Sequence, residues 1–547
     1  MMSGQPVLIL KEGSQRETGK TALHNNIKAA TVIADAVRTT LGPYGMDKLL
    51  VDSLGDVTVT NDGATILKEL EVEHPAAKMI VEVAKTQDSE VGDGTTTSVV
   101  LAGELLRRAE ELVEKNVHPT VITSGYSKAA EKAREFLSQI AVNIDPSDKR
   151  MLANVAETAL SGKNIGGAND YIADLAVRSV LAVAEDVNGE KRADIKRIKV
   201  EKKHGADVRS SELIEGVLID KERAHPRMPE LVEKAKVALI TQALEIKKTE
   251  ISSSIEIRDP TKIQAFMDEE EKEQKEMADR IIASGANVVI CEKGISDVVQ
   301  HYLARNGIYA VQRAKKSDME ALARATGGRL VANIRELSKS DLGEAGLVEE
   351  RKVSSDAMTF VTKCRHPKSV SVLLRGGTEQ SVNDYERAFN DAIHVVALVV
   401  EDGKVVPGGG AAEIEISMRL RKYSAEIGGR EQLAVDAYAT SLEYIPRTLA
   451  ENAGKDPVDT LIDLKSRHSK EAGRYDGISS DDGKIKDMVK AKVLEPLRVK
   501  RQAIASATEV ASMILRIDDV VAAKRPTDEE KKGPGGQSGM PGMPPGM

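Results

Sequence analysis

The chain runs to 547 residues, with 78 Lys+Arg against 86 Asp+Glu for a net charge of −8, and only 3% of its residues are aromatic, none of them Trp. That length suits roughly three or four domains, while the interspersed charge argues against a nucleic-acid partner and the scarcity of aromatics against a base-stacking platform. No apolar run approaches the ~18 residues of a membrane span, and Cys291 and Cys364, lacking metal-ligand neighbours, are expected as buried free thiols of a reducing, cytoplasmic compartment.

In chain order, VLILKEGSQRETGKT (7–21) imitates a P-loop, but five residues separate Gly13 from Gly19 where the phosphate-wrapping motif needs four. Thr21 is therefore expected as a helix cap and Lys20 as a solvated side chain. A P-loop-like nucleotide switch or metabolic kinase using Gly19-Lys20-Thr21 stays open as the competing function. From residue 26 to about 141, apolar residues recur three and four apart, which predicts helices over KAATVIADAVRTTL, AAKMIVEVAKTQ, TTTSVVLAGELLRRAEELVEKN and PTVITSGYSKAAEKAREFLSQIA. TLGPYGMDK (40–48) breaks the first helix at Gly42-Pro43 and leaves backbone available to a ligand. DVTVT (56–60) alternates as a strand, turns at Asn61-Asp62-Gly63 and leads into a helix.

In EVGDGTTTSVV (90–100), glycines and hydroxyls precede a helix N-terminus, which suits an anion. Asp93 does not suit a bare anion, since a carboxylate facing a phosphate needs a divalent cation between them, so the stretch predicts Mg-nucleotide. Taken alone, helix capping by Asp93 and Thr95 to Thr97 accounts for it slightly better. From about residue 145 the helices loosen, and then VALIT, NVVIC and YAVQR alternate with helical segments, which predicts an α/β region. Within it, 244–282 inserts a charged helix whose few apolar residues include Ile263, Phe266 and Met267, an ordinary surface hairpin by default.

A strand SVSVLLRGG is followed by a long helix in which Tyr385, Phe389, Ile393 and Val396 make an apolar stripe and Asp384, Arg387 and Asp391 share another face. That second face is either solvated or carries Asp391 as the carboxylate orienting a water against a γ-phosphate. VVPGGGAAEI (405–414) sets three glycines at a helix start, where backbone can approach a base or ribose, and Glu495 offers a carboxylate to ribose hydroxyls. Helices dominate again from Gly408 to the tail GPGGQSGMPGMPPGM (533–547), so one domain is expected to be built from both chain ends with others inserted.

Together LGPYGMDK, TNDGATIL, EVGDGTTTSVV, NDAI and VPGGGAAE, in this order and at these intervals, resemble the chaperonins, specifically the group II chaperonins: the archaeal thermosome and its eukaryotic cytosolic relatives. The resemblance covers essentially the whole chain. It implies an ATP-dependent, Mg²⁺-using folding machine of two stacked rings of identical or paralogous subunits. Non-native proteins would be its clients, and a built-in lid at about 246–279 would replace a separate co-chaperonin. It implies a multidomain fold: a mainly all-α equatorial domain (1–145 and 403–547), a small α/β intermediate domain (146–216 and 370–402) and an α/β apical domain with a helical protrusion (217–369).

Residue by residue, the resemblance places Leu41, Gly42, Pro43 and Gly63 against the nucleotide, Asp93 on Mg²⁺ and Gly94, Thr95, Thr96 and Thr97 on phosphates. Asp62 and Asp391 become the hydrolytic carboxylates, Lys163 of SGKNIGG (161–167) lies near the γ-phosphate, Gly409 and Gly477 border base and ribose, and Glu495 takes the ribose.

Overall fold

The computed structural model describes residues 15–163, 165–246, 260–364 and 369–522, and the side chains of helix Pro260–Ser284 from residue 268 onward. Gly13 of the P-loop imitation, the Gly/Met tail, 247–259 of the expected lid and the side chains of Ile263, Phe266 and Met267 lie outside the described residues.

Helices from both ends of the chain bury their apolar faces in one core. Gly19–Arg38, Pro75–Val91, Thr95–Glu114 and Pro119–Ile140 supply Ile27, Ile80, Leu105 and Tyr126, while Ala411–Ile427, Gly429–Asn452 and Leu497–Leu515 supply Ile416, Tyr438, Leu442 and Ile514. Tyr126 meets Tyr438 edge-to-face at 5.5 Å, joining residues 312 apart in sequence by subtraction of their numbers. Pro75 and Pro119 open their helices, where the missing N–H is one the helix does not use. The two ends are also tied directly, because strand Gln15–Thr18 pairs antiparallel with Asp519–Ala522. A separate hairpin, Lys48–Val51 with Val57–Thr60, leaves Leu49, Val51, Leu54 and Val57 exposed.

A second core packs helices Lys149–Leu160, Asn169–Val183 and Glu379–Asp402 with the three-stranded sheet of Ile198–His204, Val370–Gly376 and Glu212–Ile214. Ile198–His204 and Val370–Gly376 run parallel, which demands a long connection between them, and the third unit fills it. There the sheet order is Tyr309–Val311, Val288–Cys291, Leu231–Ile240, Gly343–Val353, Asp356–Cys364 and Gly216–Ile219, with Leu330–Val331 also on Leu231–Ile240. Helix Lys316–Thr326 covers one face, and Pro260–Ser284 with Asp297–Arg305 the other.

The alternation read from VALIT onward is present in the first three of those strands, which are parallel. The long antiparallel hairpin Gly343–Val353/Asp356–Cys364 had no expectation. Cys291 and Cys364 are free and buried, as expected. The expected lid segment 246–279 overlaps the core at its end: Ala278 and Ile281 are fully buried and Met277 packs against them, so a freestanding part must stop before Met277.

Candidate functional site

Six turns, distant in sequence, line one cavity of about 190 Å³: Leu41 to Pro43, Asn61 to Gly63, Asp93 to Thr97, Ser161 to Lys163, Gly409-Gly410 and Ile478 to Ser480. Asp391, Glu495 and Lys500 add charged groups to its wall. Of the residues that the resemblance assigns to the nucleotide site, all but Gly477 line it. Gly477 stands one residue behind: a Cβ there would meet Gly408 O and Gly409 O at 2.9 Å each, so it lets two glycine backbones lie close rather than facing a ligand.

The Gly-Asp-Gly turn is a joint between two helices. Gly92 ends helix Pro75–Val91 at φ 67° and Gly94 starts helix Thr95–Glu114 at φ 76°, both in the left-handed region where a side chain is strained. Gly94 is the N-cap residue and carries no side-chain cap, so the capping reading of Asp93 and the threonines is overturned. The first N–H groups of that helix have no intrahelical acceptor and open toward the cavity wall their residues form. Buried Gln87 pins the turn from behind, donating to Asp93 O at 2.8 Å and to Val499 O at 3.2 Å. Asp93 itself accepts from Gly94 N–H at 2.7 Å, which fixes its carboxylate.

A second helix N-terminus converges on the same place. Asp62 caps helix Gly63–Glu69, accepting from Thr65 N at 2.8 Å and from Thr65 Oγ1 at 2.6 Å, while its other oxygen lies 3.5 Å from Thr95 Oγ1. Gly63 makes the approach possible, because a Cβ there would stand 2.5 Å from Thr96 Oγ1 and 3.1 Å from Thr96 N.

Asp391 arrives from the second core on helix Glu379–Asp402 and forms an ion pair with Lys163, each side chain 17% exposed. The solvated-face reading of Asp391 therefore fails, although Asp384 and Arg387 do pair with each other nearby. Burial pushes the Asp391 carboxyl up to about 8, Asp62 and Asp93 add to the rise, and Lys163 opposes it. The Lys163 ammonium is held charged: Asp391, Asp93 and Asp62 raise it against the burial that lowers it. His394, one turn further along the same helix, packs on Gly92, so the two cores touch at the joint.

Sequence reasoning missed Asn61 as a participant, although it donates to Gly162 O, and missed Thr158, Ser479, Ser480 and Lys500. Asn61 stood inside the Asn61-Asp62-Gly63 turn read from the sequence, whereas Ser479-Ser480 carried no such reading and Lys500 in LRVKRQ has the look of any helix-surface lysine.

The described residues of the P-loop imitation contribute nothing to the cavity. Gly19, Lys20 and Thr21 are exposed at the start of their helix and none of them lines the cavity; the N-cap position is Thr18, not Thr21.

Comparison with known proteins accords with this geometry. Residues 33–525 match the model of the TCP-1/cpn60 chaperonin family. Thermosome subunit beta of Archaeoglobus fulgidus is 57% identical over 543 residues, covering 99% of both chains. Thermosome subunit alpha of Thermoplasma acidophilum is 58% identical over 544 residues, again 99% of both. Among solved structures, the open-state monomer of a group II chaperonin from Methanococcoides burtonii superposes with a TM-score of 0.60 at 45% identity, covering 78% of this chain and 100% of that one.

Proposed function

The chain belongs to the TCP-1/cpn60 chaperonin family and is a group II chaperonin subunit, and on that premise we propose that it hydrolyses ATP with Mg²⁺ to drive the folding of non-native proteins inside a stacked double ring. The observation that carries this reading is the meeting of two helix N-termini and the half-buried Lys163–Asp391 pair on one cavity, with the pair's carboxylate borne by a different core from the Asp93 turn.

The residues divide the work by charge. Free N–H groups at Thr95 to Thr97 and the opposing start at Gly63 take phosphate oxygens. Among the described residues no three His, Cys, Asp or Glu side chains form an all-protein metal cage. Nucleotide Mg²⁺ does not need one, because it takes one or two carboxylates and completes its shell with phosphate and water, and the single fixed carboxylate of Asp93 fits that demand. Such an ion, when bound, neutralises charge on the phosphates. Asp391 is the base and water-orienting group: its raised carboxyl is avid for a proton, and Lys163 holds it until a terminal phosphate competes for the ammonium. Asp62, anchored by Thr65, assists from the other side.

Nucleotide state then becomes domain angle, since hydrolysis needs the Asp391 helix seated against the equatorial turns. In this reading residues 1–145 and 403–547 form the equatorial domain, 146–216 and 370–402 the intermediate domain, and 217–369 the apical domain with its protruding lid. Ring contacts with neighbouring copies would use the exposed hairpin at Leu49, Val51, Leu54 and Val57, a ribbon poorly stable in water by itself. No described helix is long and apolar enough to cross a membrane, and the cytoplasm is the setting we propose.

The test is made on the purified protein. It should migrate as a species of many subunits rather than as a 59.0 kDa monomer. Asp391→Ala should still bind ATP while turnover falls by about 10²-fold or more. Asp93→Ala should weaken Mg-ATP binding itself. Near-normal turnover in the first variant, or unchanged affinity in the second, would sink the respective assignment.

A further inference from the structure

The wall that carries Glu495 also carries a buried lysine that no motif announces. Lys500 lies in the first turn of helix Leu497–Leu515 and is 6% exposed. Its ammonium donates to Glu413 Oε1 at 2.7 Å and to Glu495 Oε2 at 2.9 Å. Glu413 sits just past the glycine turn, in helix Ala411–Ile427, and is 4% exposed; its second oxygen has no hydrogen-bond partner among the described residues. Glu495 is held in the short strand Leu494–Pro496, against Val406, and its other oxygen would lie 2.9 Å from a Cβ at Gly408. One ammonium thus serves a buried carboxylate and a half-buried one beneath the glycine turn.

Stability does not account for such a trio, because a buried ion pair is commonly no better than apolar packing of the same volume. Its effect is on Glu495. Burial pushes that carboxyl up, Glu413 and Asp93 push the same way, and Lys500 opposes them. An ionised carboxylate accepts on both oxygens, while a protonated one must donate from one of them. Ribose hydroxyls present donors, so only the ionised form grips both.

We propose that Lys500 is a nucleotide-positioning residue: it keeps Glu495 an oriented, ionised acceptor for the ribose hydroxyls, and with Glu413 it sets the pH range over which the cavity distinguishes ribose from a deoxy analogue. This rests on the nucleotide reading of the cavity given above. The charged groups that face Glu495 are Lys500 from the helix that follows its strand, Glu413 from the helix after the glycines, and Asp93 from the helix joint.

Calorimetry on the assembled full-length protein with Mg²⁺, titrating ADP and 2′,3′-dideoxy-ADP between about pH 5.5 and pH 9, separates the possibilities. The wild type should prefer ADP by about ten- to a hundredfold. Lys500→Met should lose most of that preference at the acidic end and regain it at the alkaline end, as Glu495 ionises unaided. Glu413→Gln should act in the opposite sense, holding the preference to lower pH than the wild type, because Lys500 then serves Glu495 alone; this variant decides the matter if Lys500→Met does not assemble. Glu495→Gln should have little preference at any pH, and adding Lys500→Met to it should change nothing further.

If Lys500→Met weakens both nucleotides equally at every pH, the lysine is a structural prop and the proposal falls while the nucleotide site stands. A wild type that binds both nucleotides alike overturns the ribose role of Glu495 together with the proposal. A wild type that binds neither overturns the nucleotide reading itself.

Discussion

Replacing Gly92 with alanine tests how the Asp391 helix is seated against the turn that carries Asp93. Gly92 adopts φ 67°, where an L side chain costs roughly 1–2 kcal/mol. A Cβ there would stand 2.3 Å from His394 Cγ and 2.5 Å from its Cβ. Carbon atoms in contact sit about 3.5 Å apart or more, so the turn and the helix must part by roughly 1 Å, and overpacking of that kind adds ~1–3 kcal/mol. The expected loss of stability is therefore about 2–5 kcal/mol.

His394 is three residues from Asp391 on one helix face, so the carboxylate moves with it. A misplacement of about 1 Å at a reacting centre costs on the order of a hundredfold in turnover. Thermal unfolding of the assembled protein and steady-state ATP hydrolysis read the two effects separately. Adding His394→Gly removes both clashing atoms but not the backbone strain, so turnover should largely return while a deficit of about 2–3 kcal/mol persists, mid-helix glycine contributing about 1 kcal/mol of it. If Gly92→Ala alone hydrolyses ATP at the wild-type rate, or if His394→Gly fails to rescue it, this contact does not set the distance between the cores.

Three further outcomes are expected. With burial pushing Asp391 up to about 8, hydrolysis should climb as pH rises through that value, and a flat profile would remove Asp391 as the base. For stability the sign is opposite: a carboxyl raised in the folded state contributes fully below its unfolded value near 3.9 and loses that contribution as pH rises through about 8. The melting temperature of Asp391→Asn should thus gain on the wild type across that window, and a constant difference would refute it. Lys20→Ala should leave hydrolysis unchanged because Lys20 is exposed and off the cavity wall; a loss as large as that of Asp93→Ala would revive the P-loop. Replacing 247–270, which spares the buried Ala278 and Ile281, with a Gly/Ser linker should keep rings and ATPase but reduce recovery of an aggregation-prone client, and undiminished client folding would end the lid reading.

What was legible in the sequence was whatever local chemistry enforces. The helical periodicity of both ends, the turn at Asn61-Asp62-Gly63 and the two glycines around Asp93 each had a local cause, and the structure has them where the pattern put them. The hairpin of Gly343–Val353 and Asp356–Cys364 was illegible because its turn is Ser354-Ser355, with Ser354 at φ 58°, rather than the Asn-Gly pair that announces such turns. Asp391 read equally as a solvated residue, since nothing on its own helix reveals that Lys163 meets it from 228 residues away. Lys500 was invisible for the same reason: both its carboxylates come from other elements. Gly477 was placed beside base and ribose by the resemblance alone but is needed for backbone clearance, a distinction that residue type does not carry.

The pairing of strand Gln15–Thr18 with Asp519–Ala522, and of early with late helices, bears on how the chain is made. A ribosome releases the N-terminal end first, yet Tyr126 has no Tyr438 to pack on until the far end emerges. Helix Pro119–Ile140 and helix Ala411–Ile427 are separated by about 270 residues, which takes roughly 15–55 s to translate at ~5–20 residues per second. For that interval the first four long helices carry apolar faces without their partners, while the inserted units, whose strands all lie between Ala184 and Gly376, can close on themselves. The nascent subunit should therefore be most exposed to aggregation midway through its synthesis, and ring assembly must wait for the last helix, Leu497–Leu515, to complete the domain that began first.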